Sequence, residues 1–131
     1  DPVRFSNYVK HFVMKKLGFS GVEIASHVNG VSIGDARFEP FFAAAERLGA
    51  AVFVHALRPA GQDRVVGAFP EQAVCFPGDI GLACASMITG GIAAKHPRLR
   101  MAVSHGGGVM SIDFALTDAN LYGLFKAAAT K

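Results

Sequence analysis

Residues 100–108 read RMAVSHGGG. The stretch holds a short apolar run, Met101, Ala102 and Val103, then the polar pair Ser104 and His105, then three glycines. A short apolar run bounded by turn residues is the pattern of a buried strand. A histidine delivered at the end of such a strand, next to backbone without Cβ atoms, stands where ligands approach in α/β folds. A matching pattern lies upstream, where the apolar residues 50–54 end at His55. Whether His55 and His105 share one site decides how the chain is read.

Working outward, strands and helices alternate. The apolar spacing of Val3, Tyr8, Phe12 and Leu17 predicts a helix over 3–17, with Gly18 as the residue beyond its end. A strand follows over 21–25, then turn chemistry at 27–30. Asp35 is placed to cap the next helix, whose apolar stripe is Phe38, Phe41, Phe42, Ala45 and Leu48. Gly49 ends that helix, and a strand runs over 50–54. Residues 57–79, rich in Pro and Gly, read as one long connection, functional or disordered, on the same side as His55. A small-residue helix is predicted over 80–95, with Gly90 and Gly91 implying close packing against a neighbour. His96 and Pro97 stop it, a third strand covers 99–104, and a further helix covers 112–129 with Thr117 or Asp118 as its cap. The sum is α/β, a succession of parallel βα units whose apolar strands read as buried on both faces.

Composition bounds the function. The chain has 131 residues, one domain by length, of which 51% are hydrophobic and 18% charged. A net charge of +3 with no basic run and no aromatic–basic interleaving gives nucleic-acid binding no support. The least polar stretch, residues 81–94, is too short and too rich in small residues to span a bilayer, so no membrane association is expected. Two cysteines, Cys75 and Cys84, without CxxC spacing or a secretory leader, read as free, buried thiols of a cytoplasmic protein.

For His55 two readings stand: a hydrogen-bonded histidine at the core's edge, or a ligand to a divalent metal such as zinc. His105 faces the same choice, with the glycines favouring approach of a substrate or cofactor. If the two strands are neighbours, about 4.8 Å apart, both imidazoles open into one cleft. Two histidines fall short of the three or four protein ligands a zinc site needs. The glycine loop could alternatively cradle a phosphate, although neither GxGxxG nor GxxxxGK[ST] is present. Glu23, charged within an apolar strand, faces the cleft or pairs with a cation. His96 at a helix end is explained by the helix dipole, and His11 by the surface. Arg58, three residues after His55, is either a solvated loop residue or a bidentate clamp for a carboxylate.

The runs GFSGVEIASHVNG, ARFEPFFAAAERLGAAVFVHALRPAG and HPRLRMAVSHGGG resemble the amidohydrolase-related decarboxylases, and the intervening FPGDIGLACASMITGGIAAKHPRLR resembles that family's helix and approach to the next strand. Within that family the aminocarboxymuconate-semialdehyde and γ-resorcylate decarboxylases are the nearest types. The resemblance covers about residues 17–110 and implies a (β/α)₈ TIM barrel. Residues 1–131 would then be part of a single metal-dependent hydrolase-like barrel domain, carrying its fourth, fifth and sixth strands.

In that family a divalent ion, usually Zn²⁺, is held by an HxH pair on the first strand, a histidine ending the fifth and an aspartate on the eighth. VFVH matches the fifth-strand motif, which implies that His55 is a metal ligand. Ala56 stands where the family often has proline, without bearing on ligation. VSHGGG matches the sixth-strand motif, which implies that His105 is the acid/base residue beside a metal-activated water. The HxH pair and the aspartate are not identifiable, so further barrel strands outside these 131 residues are expected. The implied function is decarboxylation of an aromatic or unsaturated carboxylate, with Arg58 as a substrate-carboxylate contact. The alternatives are a metal-dependent hydrolase of a lactone, ester or amide, and an inactive fragment or small-molecule binding module. A homodimer is expected from the resemblance alone.

Overall fold

The computed structural model describes residues 4, 16–57, 59, 61–68 and 71–108. The predicted helices over 3–17 and 112–129 and the residue Arg58 fall largely or wholly outside these residues. The described elements, in chain order, are β1 (Gly21–Ala25), β2 (His27–Val28), β3 (Val31–Ser32), α1 (Glu39–Leu48), β4 (Ala51–His55), α2 (Glu71–Thr89), α3 (Ile92–Lys95) and β5 (Arg100–Val103).

Three strands form a parallel sheet in the order β1-β4-β5, so the strands ending near His55 and His105 are neighbours. The register sets Val22 beside Val52, Ile24 beside Val54, and Ala25 beside His55; on the other edge Val54 lies beside Val103. Because side chains alternate across a strand, Val52 and Val54 point one way and Phe53 and His55 the other. Val52 and Val54 are buried under a layer formed by Phe41, Phe42 and Ala45 of α1, Ile80, Ala83 and Met87 of α2, and Ile92 of α3. The opposite face carries Glu23, Phe53 and Ala102, all exposed. The sheet is therefore covered on one face among the described residues, where the strand composition alone predicted burial on both.

Local chemistry explains the junctions. Asn29 and Gly30 both take positive φ, 51° and 77°, which closes a tight hairpin between β2 and β3. Asp35 caps a 3₁₀ turn, Ala36–Phe38, that leads into α1; its carboxylate accepts the Arg37 N–H at 2.9 Å. The adjacent Arg37 guanidinium pulls the Asp35 carboxyl down to about 2. Gly49 ends α1 in the left-handed conformation, as its position predicted.

The helix expected from residue 80 starts at Glu71 instead, and the connection after β4 is correspondingly shorter. Pro77 lies inside α2. A proline there leaves the carbonyl four residues earlier, that of Ala73, without its N–H partner. Ala73 is exposed, so water is available to that carbonyl. The half-buried Phe76 and the buried Asp79, Ile80, Ala83 and Met87 keep helical spacing through the proline and hold α2 on the sheet.

Two polar ties lock α2 to the segment after β1. The Ser26 hydroxyl donates to Asp79 Oδ2, and both residues are buried. Ser86 Oγ accepts from the Gly34 N–H at 3.2 Å and hydrogen-bonds Ser32 Oγ. The packing expected at Gly90 is present: a Cβ there would lie 2.1 Å from the Gly34 carbonyl oxygen. Cys75 and Cys84 are free thiols as expected, but half-buried, and burial pushes the Cys84 thiol up.

His96 stands at the end of α3, as its position predicted, and has tertiary contacts besides. It is buried, with Nδ1 3.4 Å from Glu46 Oε2 and Nε2 3.2 Å from Glu39 Oε1. Glu46 also accepts the Arg98 N–H at 2.8 Å. These contacts staple α1 to the approach of β5.

Candidate active site

His55 is the last residue of β4, and its partner in the ladder is Ala25. The Ser104 N–H donates to the Val54 carbonyl at 2.9 Å, which carries the β4–β5 pairing one residue past β5. That bond places His105 beside His55. The imidazole centroids lie 5.5 Å apart with the ring planes at 51°. The sequence expectation that the two strands are neighbours is met, and it brings the two imidazoles together.

His105 opens a 3₁₀ turn, His105–Gly107, with φ of 52°. A left-handed residue with a Cβ costs about 1–2 kcal/mol, so the surroundings hold it there. Gly107 N–H donates to the Ser104 carbonyl at 3.1 Å and Gly108 N–H to the His105 carbonyl at 2.9 Å. The side chain is held as well: Ser104 Oγ and His105 Nδ1 share a hydrogen bond of 2.8 Å. With Nδ1 engaged, Nε2 is the nitrogen left for exchange with a ligand.

The glycines divide their work. Gly106 has open space where a Cβ would sit. At Gly108 a Cβ would lie 1.9 Å from the Pro77 carbonyl oxygen. The last member of the triple glycine thus lets the turn press against α2.

His55 sits among rings. Phe53 lies at 6.1 Å and Phe76 at 6.5 Å, the latter edge-on at 79°. Phe76 also meets His105 at 5.7 Å and 90°. His55 Nδ1 is buried and has no hydrogen-bond partner among the described residues. A buried, unpaired ring nitrogen is costly unless something completes it, and a metal ion is one such completion. No cluster of three or more His, Cys, Asp or Glu suited to a metal exists among the described residues. Glu23 stands on the open sheet face and forms no ion pair among them. Phe76 and Asp79 carry no role in the sequence reading, whose local rules place them in the connection over 57–79 although the run that starts at Phe76 resembles the family's helix. The helical spacing of Phe76, Ile80, Ala83 and Met87 was the available signal.

Paired histidines at the C-terminal ends of neighbouring parallel strands are the arrangement of barrel enzymes, whose chemistry gathers at that face. The chain belongs to the amidohydrolase family, whose profile matches residues 11–130. It is 40% identical over 93 residues to the 2-amino-3-carboxymuconate-6-semialdehyde decarboxylase of Dictyostelium discoideum, covering 71% of this chain and 26% of that protein. It is 31% identical over 78 residues to the 6-methylsalicylic acid decarboxylase of Penicillium expansum, covering 60% of this chain and 24% of that protein. Its fold matches the crystal structure of the 5-carboxyvanillate decarboxylase LigW from Sphingomonas paucimobilis, with a TM-score of 0.78 at 25% identity over 94% of this chain and 37% of that one. The chain thus spans about a quarter of the length of these curated relatives, and its sheet is part of a barrel. No helix among the described residues is long and apolar enough to cross a membrane.

Proposed function

We propose that this chain supplies the fifth- and sixth-strand part of the active site of a metal-dependent decarboxylase acting on an aromatic or unsaturated carboxylate. The observation that carries the reading is the His55–His105 pair, 5.5 Å apart, with the buried Nδ1 of His55 unpaired among the described residues. The relatives named above, which act on such carboxylates by their names, support the substrate class over the hydrolase alternative.

His55 is one ligand of a divalent ion, most simply Zn²⁺, whose other ligands lie outside the described residues. The ion supplies Lewis acidity toward oxygen atoms at the site. His105 moves the proton. Its Nδ1 is tied to Ser104, so Nε2 delivers a proton to the carbon that bears the carboxylate. The bond from that carbon to the carboxylate then breaks, its electron pair stays on the substrate to restore conjugation, and carbon dioxide leaves. Solvent returns the proton to Nε2. Arg58, three residues beyond His55, clamps the substrate carboxylate.

The test is carbon dioxide release by the intact protein from hydroxybenzoates and from conjugated unsaturated acids. Release that depends on the added divalent ion is expected. Lactone or ester hydrolysis without any release would replace the reading with the hydrolase alternative, and neither activity would leave a binding module.

A further inference from the structure

We propose that Phe76 is the specificity-determining residue of this site: its ring walls the space beside the two imidazoles and selects flat, conjugated carboxylates over saturated ones. The substrate class rests on the decarboxylase reading; the geometry stands without it. Phe76 touches both histidines, at 6.5 Å and 79° to His55 and at 5.7 Å and 90° to His105. Phe76 is half-buried.

The ring is held from both sides. One residue on, the Pro77 carbonyl packs against Gly108 at the end of the histidine turn. Three residues on, Asp79 accepts the Ser26 hydroxyl at the end of β1. These ties fix the start of α2 against both flanks of the site, so Phe76 is a fixed wall. Edge-to-face contact favours an aromatic or conjugated ligand over a saturated one of equal size. The contact's usual worth corresponds to about a threefold to tenfold preference in affinity.

The test uses the intact protein with Zn²⁺ present and two unreactive probes, benzoate and cyclohexanecarboxylate. Wild type should bind benzoate about threefold to tenfold tighter. F76L should lose that preference by weakening benzoate alone, and F76Y should keep it. Histidine-labelled NMR gives a readout independent of ligand and activity: F76L should shift the His55 and His105 ring resonances and leave His27 and His96 in place. A preference that survives F76L, equal weakening of both probes, or unmoved His55 and His105 resonances would overturn the proposal, as would a wild type that binds neither probe. A wild-type benzoate preference that F76L abolishes, in a protein that releases no carbon dioxide, would remove the decarboxylase reading and leave Phe76 as the selector.

Discussion

The Ser26 hydroxyl donates to the Asp79 carboxylate across the junction between the end of β1 and helix α2, with both residues buried. Fifty-three positions separate them in sequence, and their contact ties α2 to the end of β1. Ser26→Ala leaves the buried carboxylate short of a donor, which costs about 1–3 kcal/mol. Urea denaturation of the intact protein should show a lower midpoint with an unchanged slope. An unchanged midpoint would mean that the bond holds nothing in place.

The glycine turn gives a contrast in magnitude. Gly106→Ala meets open space and faces only the left-handed backbone penalty, about 1–2 kcal/mol. Gly108→Ala adds a clash with the Pro77 carbonyl and should cost about 3 kcal/mol or more. Denaturant midpoints for the two variants should fall in that order; equal losses would contradict the packing of this turn against α2.

Glu46 gives the pH dependence. The Arg98 N–H, and after it His96 and the Arg98 charge, hold its carboxyl below the ordinary 4.5. A carboxylate with a lowered folded-state pKa stabilises the fold above its unfolded pKa and loses that stabilisation as pH falls through the folded value. Wild type should therefore exceed Glu46→Gln in melting temperature at pH 7, and the gap should close as pH falls below 4.5. A gap that widens on acidification would reverse the assignment.

Much of the fold could be read from local pattern, because a strand that ends in a histidine and a helix that ends at Gly49 are signalled within a few residues. The start of α2 could not, since Pro77 is a breaker by local rules and only tertiary packing of Phe76, Ile80, Ala83 and Met87 carries the helix through it. The ion-pair partners of His96 are illegible for the same reason: Glu39 and Glu46 lie half the described chain away, and no spacing rule links them. At the site, the two histidines stood out in sequence, whereas Phe76 becomes visible only once α2 is seen to reach over them.

The two histidines carry different work in this account, and one measurement separates the roles: bound zinc and carbon dioxide release assayed together on His55→Gln and His105→Asn of the intact protein. His55→Gln should lose both the ion and the activity. His105→Asn should keep the ion at wild-type stoichiometry and lose activity by about 10²–10⁴-fold, the usual worth of a general acid/base. Full zinc in His55→Gln, or full activity in His105→Asn, would contradict the division of labour on which the proposed function stands.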